Sequence, residues 1–300
     1  QEDNMAAYTT IDDPSAHFQT LVYTGNGSNP RNLTNDGNSD LKPDWIWGKN
    51  RTDNGTDHIL TNTTLGLNPP ITDSLLSSNS TGGVNTPNPT YGYVSAMLTD
   101  GFTAVAGGTN GDNFNANSKE FVAWQWKANG GTTATNTTGN GIDSVVQANT
   151  TAGFSIVTYT GNGTQSGQTV GHGLGAVPKM IISKDRTNSS NVVSWRVYHV
   201  GIGPTKYMEL QSAAALATYN DWDDTAPTSS VYSVGGAGGY TPTNTNNALY
   251  VAYCFAEIQG YSKFGKYVGN GNADGPFVYT GFKPAFLMMK ESSSAGGNWV

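Results

Sequence analysis

Carboxylates are the first side chains to consider for chemistry, because two of them can act as acid and base in glycoside hydrolysis when held about 5 to 9 Å apart. The glutamates of this 300-residue chain are far apart in sequence, and only the first has an acidic neighbour: Glu2, Glu120, Glu209, Glu257 and Glu291. We therefore predict no catalytic residues and no enzymatic activity, since a fold by itself argues no reaction.

Aspartates cluster in the turn-like stretch Asp221-Trp222-Asp223-Asp224. Their oxygens could bind Ca²⁺, yet three carboxylates fall short of the roughly 6 to 8 oxygen ligands that this ion takes. A solvated turn is therefore the favoured interpretation. If the chain does bind a ligand such as a surface glycan, we predict that Asp221, Trp222, Asp223 and Asp224 contact it.

Histidine and cysteine give little sign of a metal or redox site. The four histidines show no metal-ligand spacing, so we predict no metal and no cofactor: His17, His58, His172 and His199. The single cysteine, Cys254, lies in an apolar run. We expect it to be buried and unreactive, and it cannot form an intrachain disulfide.

Two short blocks recur three times in the same order, which is the signature of repeated units. The opening block reads Tyr-x-Gly-Asn-Gly and starts at Tyr23, Tyr159 and Tyr267. The Pro-Lys block runs from a proline to a lysine six positions later, at 43–49, 178–184 and 284–290. Its lysines, Lys49, Lys184 and Lys290, are predicted to be structural, with their stems over aromatic rings; a binding role is the less favoured alternative.

The Pro-Lys block predicts a strand, in which Trp45 and Trp47 share one face and Ile46 lies on the other. The Asn-Gly pair of the opening block is a strong hairpin signal, because both turn positions need positive φ. We predict a hairpin there.

A closing block ends the first two copies and reads aromatic-Val-Ala-aromatic-x-aromatic, at 121–126 and 250–255. Alternation puts Trp124 and Trp126 on one face and Ala123 on the other, as in a strand packed between layers. We favour core packing for the tryptophans of both blocks over a sugar-stacking platform.

These patterns predict an all-β chain of tandem antiparallel β-sandwich, jelly-roll-like domains. The expected divisions are an N-terminal arm at 1–17, a first repeat at 18–128, a Thr/Asn/Gly-rich linker at 129–152, a second repeat at 153–259 and the start of a third, incomplete repeat at 260–300. The arm is interpreted as disordered, with docking on a partner as the alternative. Segments 192–198 and 206–210 are predicted to be exposed strands, and 211–219 one or two helical turns.

The third repeat has an opening block and a Pro-Lys block but no closing block before Val300. Its hydrophobic strand candidate at 286–289 needs a cover. We expect either that the natural chain continues beyond Val300 or that a neighbouring chain supplies the missing strands.

Charge and hydropathy exclude two classes of partner. The formal net charge is -7 and only 12% of residues are charged. With no basic stripe, phosphate-driven nucleic-acid binding is not expected. No apolar run reaches 18 residues and the N-terminus lacks the pattern of a secretory signal, so neither a membrane span nor a signal is predicted.

The opening, Pro-Lys and closing blocks together resemble a repeated β-sandwich domain of virion structural proteins in marine tailed bacteriophages. Members of that family are often predicted to be concanavalin-like. The start of the chain, Ala-Tyr-Thr-Thr-Ile-Asp-Asp-Pro at 7–14, is similar to the beginning of such proteins. The resemblance runs from Ala7 to Val300 and implies a component of a tail fibre, an appendage or a capsid decoration.

The function that this resemblance implies is structural. We expect a non-enzymatic protein on the surface of the virion, which contacts other virion proteins and forms a homo-oligomer. The alternatives are a lectin-like module that binds a host-surface glycan and a secreted bacterial adhesin.

Overall fold

The computed structural model of the protein describes residues 8–67, 75–83, 90–108, 113–187 and 193–300. Within these ranges the chain forms 19 strands, one 3-10 turn at Pro14–Ala16 and no α-helix. Short β-branched and aromatic runs separated by Gly, Asn and Ser favour such strands. The all-β sandwich class is therefore confirmed. The start of the predicted arm (1–7) and the first position of the strand predicted at 192–198 lie outside the described residues.

The first repeat contributes two sheets. Its strands are β1 (Phe18–Thr24), β2 (Arg31–Leu33), β3 (Trp45–Asn50), β4 (His58–Asn62), β5 (Leu75–Ser77), β6 (Tyr93–Met97), β7 (Phe102–Val105) and β8 (Glu120–Trp126). One sheet has the order β1-β8-β3-β4-β5, and a smaller one has the order β2-β7-β6.

The rest of the chain contributes two more sheets. Its strands are β9 (Ala134–Asn136), β10 (Gly141–Ile142), β11 (Ser144–Asn149), β12 (Phe154–Thr160), β13 (Gln168–Gly171), β14 (Pro178–Asp185), β15 (Arg196–His199), β16 (Lys206–Glu209), β17 (Ala217–Thr218), β18 (Val231–Val234) and β19 (Leu249–Ala256). The larger sheet has the order β17-β16-β15-β14-β19-β12-β11-β9, and the smaller one has the order β10-β13-β18.

The two repeats arrange their main strands in the same way. In the first, the closing strand β8 lies between the opening strand β1 and the Pro-Lys strand β3, antiparallel to both. In the second, β19 lies between β12 and β14 in the same manner. The closing block is thus the central strand that joins the other two blocks.

Three clusters of buried side chains hold the sheets together. The first sandwich core, which includes Ile46 and Ala123, lies between the two sheets of the first repeat. The second sandwich core, which includes Ile181 and Ala252, lies between the two sheets of the second. A shared core joins the two large sheets, where the ring of Trp45 stacks on that of Tyr253 at 4.1 Å.

The predicted alternation along the blocks is confirmed. Trp45, Trp47 and Trp126 face the shared core, whereas Ile46 and Ala123 face the first sandwich core. The core interpretation of these tryptophans is therefore correct. Burial on both faces explains why the strands read as nearly continuous apolar runs.

The prediction that residues 129–152 form a linker is wrong. Strands β9, β10 and β11 lie in it, and β11 pairs with β12 from Ser144 to Asn149. Val146 alternates into the second sandwich core. Thr- and Asn-rich composition pointed to a loop, but pairing with a neighbouring strand satisfies the backbone and buries the valine.

The opening block does not form a hairpin. Its glycines carry the chain out of β1, which pairs with β8, and towards β2, which pairs with β7 of the other sheet. Of the residues in this turn, Gly27 has positive φ, at 69°, and Asn26 does not. The type I′ hairpin needs positive φ at both positions, so the turn that forms is a different one.

Three smaller expectations are also wrong. The disorder predicted for the arm is not found at residues 8–17. Ile11 is buried there, and Asp13 accepts a hydrogen bond from the Ser39 hydroxyl at 2.7 Å. Strand β15 is buried rather than exposed, because it covers the shared core. The helical turns expected at 211–219 do not form, and β17 lies there instead.

The third copy, residues 261–300, contains no named strand. Its Pro-Lys block still lies against the body of the protein through Phe286, whose ring is 5.6 Å from that of Trp126. The strand expected at 286–289 is absent because no closing strand lies beside it to complete a ladder.

Candidate functional site

Exposed apolar side chains single out the third copy as the candidate site. The exposed fractions are 86% for Val268, 89% for Phe277, 72% for Tyr279 and 62% for Leu287. These four side chains lie within one 20-residue stretch of chain. The strand that covers the equivalent positions of the first two copies has no counterpart among residues 261–300. We call residues 261–300 the open copy.

In the first repeat a buried asparagine holds the opening block, and the open copy lacks this contact. Asn115 donates from Nδ2 to Asn26 Oδ1 at 3.1 Å and to the Ser28 carbonyl at 2.7 Å. In return, its Oδ1 accepts from the Asn26 backbone N–H at 3.2 Å, and its carbonyl accepts from Gly27 at 2.9 Å. We call this arrangement the asparagine clasp.

The second repeat has the same clasp, atom for atom. Asn244 donates from Nδ2 to Asn162 Oδ1 and to the Thr164 carbonyl, both at 2.8 Å. Its Oδ1 accepts from the Asn162 backbone N–H at 2.9 Å, and its carbonyl accepts from Gly163 at 2.9 Å. Because both asparagines are fully buried, loss of their bonds would leave unpaired polar groups in the interior.

A stacked pair of rings completes the contact between the opening and closing blocks. Tyr23 stacks on Phe121 with centroids 5.3 Å apart, and Tyr159 stacks on Tyr250 at 4.8 Å. Each opening tyrosine also donates its hydroxyl to the carbonyl just before the clasp asparagine, at 2.7 Å. The opening block therefore binds the chain segment that runs from the clasp asparagine to the closing block.

Sequence reasoning missed the clasp asparagines, although a signal was present. Asn115 lies six positions before Phe121, and Asn244 lies six positions before Tyr250. The full closing segment is thus an asparagine followed six positions later by the closing block. Asparagine is so common in this sequence that the shared spacing stands out only when the two segments are aligned.

The repeated lysines are structural, and a loop carbonyl accepts a hydrogen bond from each of them. The predicted packing of their stems over aromatic rings stays a prediction. The Nζ atoms of Lys49, Lys184 and Lys290 donate to the carbonyls of Thr56, Val193 and Gly297. Burial lowers the pKa of Lys184 to about 8. The lysine closes the loop that follows the Pro-Lys strand in all three copies.

The aspartate cluster is split between core and surface. Asp221 is fully buried, and Trp222 lies in the second sandwich core. Their burial speaks against the ligand contact predicted for them. Asp223 is half-buried and accepts a hydrogen bond from the Gly167 backbone at 2.7 Å, whereas Asp224 is exposed. Asp223 and Asp224 stay predicted contacts.

Asp221 belongs to an internal network around Arg196. Its carboxylate lies 3.4 Å from Nε of Arg196, and Glu209 lies 3.3 Å from Nη1. The guanidinium also lies over the ring of Tyr207, at 4.0 Å from its centroid. Burial raises the pKa of Asp221 to about 6, against the opposing effect of Arg196. These groups connect β15, β16 and the loop that holds Asp221.

Metal binding and membrane spanning find no support among the described residues. No group of three or more His, Cys, Asp or Glu there is placed to hold a metal ion. No helix there has the length and apolar character needed to cross a bilayer. Cys254 is buried as predicted, and burial raises the pKa of its thiol well above the usual range.

Proteins related to this chain should share the two asparagine clasps and the open copy. The chain belongs to the family described as "Domain of unknown function (DUF7483)". It matches that family over residues 13–300, so the match includes both closed repeats and the open copy. No curated protein and no solved structure matches the chain.

Proposed function

We propose that this member of the DUF7483 family is a non-enzymatic structural protein of a virion, which assembles with other virion proteins through its β-sheets. The observation that carries the proposal is the edge strand β1, which lies at the end of the first large sheet and exposes Val22. The outer edge of such a strand can pair with another chain, so it favours association. The resemblance of the three blocks to a domain of tailed-phage virion proteins supplies the setting.

The rest of the chain suits a scaffold. Its two large sheets share one aromatic core, which includes Trp45, Phe154 and Tyr253. Two sandwiches joined through a common core can present the edge strand β1 to a partner in one orientation. Closed rotational symmetry is usual for such assemblies, so the proposed assembly is a homo-oligomer on the particle surface, in a tail fibre, an appendage or a capsid decoration.

Two measurements test the proposal. Electron microscopy with a labelled antibody should place the protein on purified virions, and analytical ultracentrifugation of the purified chain should show a concentration-dependent oligomer. Absence of the protein from purified virions would end the virion proposal. A strictly monomeric chain at about 100 μM, well above the micromolar range of weak associations, would count against self-assembly.

A second candidate function is binding of a host-surface glycan near the predicted contacts Asp223 and Asp224. The observation in its favour is the exposed ring of Tyr240, whose hydroxyl lies 3.4 Å from Nη2 of Arg196, the side chain that pairs with Asp221 of the same cluster. A glycan array tests this directly. Binding that is lost in Asp224→Ala and in Tyr240→Ala would support it, and an array with no bound glycan would contradict it.

A further inference from the structure

We infer that Asn54 is a site of spontaneous covalent modification, at which the Gly55 backbone nitrogen displaces the side-chain amide and water completes the conversion to aspartate and isoaspartate. The asparagine clasps protect Asn26 and Asn162 from the same reaction. This inference goes beyond the proposed function, because it concerns a change that the folded chain undergoes without a partner. It follows from how the structure holds each asparagine-glycine pair.

The reaction occurs most readily where a glycine follows an asparagine, because only glycine lets the backbone approach so closely. The glycine nitrogen loses its proton to solvent and forms a bond to Cγ of the asparagine. The C–N bond of the side-chain amide breaks, and its NH₂ group takes a proton from solvent and leaves as ammonia. Water then opens the five-membered ring at either carbonyl. One water is consumed and one ammonia is released, with no oxidation.

Seven asparagine-glycine pairs in the chain are candidates by sequence. They begin at Asn26, Asn54, Asn110, Asn129, Asn140, Asn162 and Asn270. Asn110 lies outside the described residues. The other six pairs differ in whether a hydrogen bond holds the side-chain amide or the glycine N–H. A group that is held must first break its bond, which raises the barrier to reaction.

The two clasps hold both reacting groups. Gly27 donates its N–H to the carbonyl of Asn115 at 2.9 Å, and Asn26 Oδ1 accepts from Asn115 Nδ2 at 3.1 Å. The second clasp holds the equivalent groups, with its glycine N–H donating to the clasp carbonyl at 2.9 Å and its side-chain bond at 2.8 Å. Because the clasp asparagines are fully buried, water cannot readily replace these bonds.

A hydrogen bond also restrains three further pairs. Gly130, which follows Asn129, donates its N–H to Asp44 Oδ2 at 2.8 Å. The Nδ2 atom donates to a backbone carbonyl at 2.7 Å in Asn140 and at 2.9 Å in Asn270. Either the attacking nitrogen or the leaving group is therefore held in each of these pairs.

Asn54 and Gly55 form the exposed middle of a turn, across which the Thr56 N–H donates to the Asp53 carbonyl at 3.2 Å. Over the ranges that the structure describes, neither the Asn54 side chain nor the Gly55 N–H makes a hydrogen bond. A Cβ on Gly55 would meet nothing within 4 Å, so the asparagine side chain has room to fold back onto the backbone. This pair is therefore the one that reacts first.

The conversion adds charge to a loop that stays anchored. The new carboxylate at position 54 lies next to the ion pair of Asp53 with Lys119, whose atoms are 2.9 Å apart. It makes the formal net charge of -7 one unit more negative. Lys49 still holds the end of the loop, because its Nζ donates to Thr56 Oγ1 at 3.2 Å. The modified chain keeps its fold and becomes more acidic at this end of β3 and β4.

Peptide mapping of the aged protein tests the inference. The complete 300-residue chain is incubated at neutral pH, and mass spectrometry with electron-transfer fragmentation follows conversion at each asparagine. We expect Asn54 to convert roughly tenfold or more faster than Asn26 and Asn162, as the loss of a buried hydrogen bond requires. Labelling by an isoaspartyl methyltransferase should identify the isoaspartate. No conversion at Asn54, or conversion as fast at Asn26 or Asn162, would overturn the inference.

A glycine variant tests the nucleophile. Gly55→Ala should slow conversion at Asn54 severalfold, because its methyl group obstructs the attack while meeting no neighbouring atom in the fold. Gly265→Ala is the matched control, since a Cβ there also meets nothing within 4 Å, and it should leave the conversion unchanged. An undiminished rate in Gly55→Ala would show that another route modifies Asn54.

A clasp variant tests the protection. Asn115→Ala removes the side-chain bond to Asn26 and should raise conversion there. Asn162, whose clasp is intact, should convert as slowly as before and reports that the second repeat is still folded. An unchanged rate at Asn26 in this variant would contradict protection by the clasp.

Unfolding in urea gives a measurement that does not depend on how well a variant folds. Because urea breaks both clasps, Asn26 and Asn162 should then convert about as fast as Asn54. If a tenfold difference persists in urea, the neighbouring residues in sequence set the rates, and the inference is wrong.

Discussion

The closed repeats and the open copy carry the same opening and Pro-Lys blocks but differ in what lies between them. In the closed repeats a closing strand lies there, and the blocks become strands. In the open copy the turn at Asn270 and the loop closed by Lys290 form, but no named strand does. Turns depend on neighbouring residues in sequence, whereas a strand needs a partner from elsewhere in the chain.

The largest expected difference concerns the shared core. Trp45→Ala should lower the free energy of unfolding by about 3 to 5 kcal/mol, because it removes a fully buried ring that contacts both large sheets. Phe286→Ala, at the equivalent position of the open copy, should cost less than half as much, since Phe286 is only half-buried. Urea unfolding followed by tryptophan fluorescence and circular dichroism measures both. Equal losses would show that the open copy is as well packed as the closed repeats.

The next prediction compares the sandwich-facing positions. Ile181→Ala should cost about 2 to 5 kcal/mol, since it leaves a cavity in the second sandwich core. Leu287→Ala should change stability by less than about 0.5 kcal/mol, as expected for an exposed site. Thermal unfolding of the two variants provides the check. A large loss at Leu287 would mean that this face is covered in solution.

The clasp gives a smaller contrast. Asn244→Ala should destabilise by about 1 to 3 kcal/mol, because it removes the hydrogen bonds that the fully buried Asn244 side chain makes with the Asn162 backbone N–H and the Thr164 carbonyl. Asn270→Ala should cost about 0.5 kcal/mol or less, since Asn270 lies in an exposed turn. Chemical denaturation of both variants measures the two losses of stability. Equal losses would show that the clasp contributes little to stability.

The smallest expected effect is a pH dependence of stability that arises from Asp221, a buried carboxyl of the second repeat. Its folded pKa is about 6, above the value of 3.8 that it has when unfolded. The folded state therefore holds this proton more tightly, so its contribution to stability is present at low pH and is lost as pH rises through 6. Relative to Asp221→Asn, the wild type should gain about 1 kcal/mol between about pH 7 and pH 5.

The comparison with Asp221→Asn matters because the buried histidines act in the opposite direction. Burial lowers the pKa of His172 and of His199, so acidification destabilises the fold through them in both proteins. Taking the difference between wild type and variant removes that shared effect. Stability curves that stay parallel across the pH range would contradict a raised pKa at Asp221.

Much of the fold was readable because the blocks are strictly alternating. The faces of Trp45, Ile46 and Ala123 follow from period 2 alone, since side chains on a strand point to alternate sides. The closing block was likewise recognisable as a strand between two layers. By contrast, 129–152 looked like a linker, because Thr- and Asn-rich strands have no apolar run to reveal them and depend on their neighbours for pairing.

The candidate site shows the same division. Exposure at Leu287 could be anticipated from the missing closing block. The aspartate cluster could not be placed, because whether Asp221 lies in solvent or beside Arg196 depends on loops that are distant in sequence.

The sequence by itself determined the three blocks and the faces of their strands, because each is a local pattern of residue types. Only the tertiary structure decided that two large sheets share one aromatic core and that Asn115 and Asn244 clasp the opening blocks. Those features arise from contacts between segments about 80 to 190 residues apart, such as that of Asn62 with Tyr253. Local propensity carries no information about which distant segments meet.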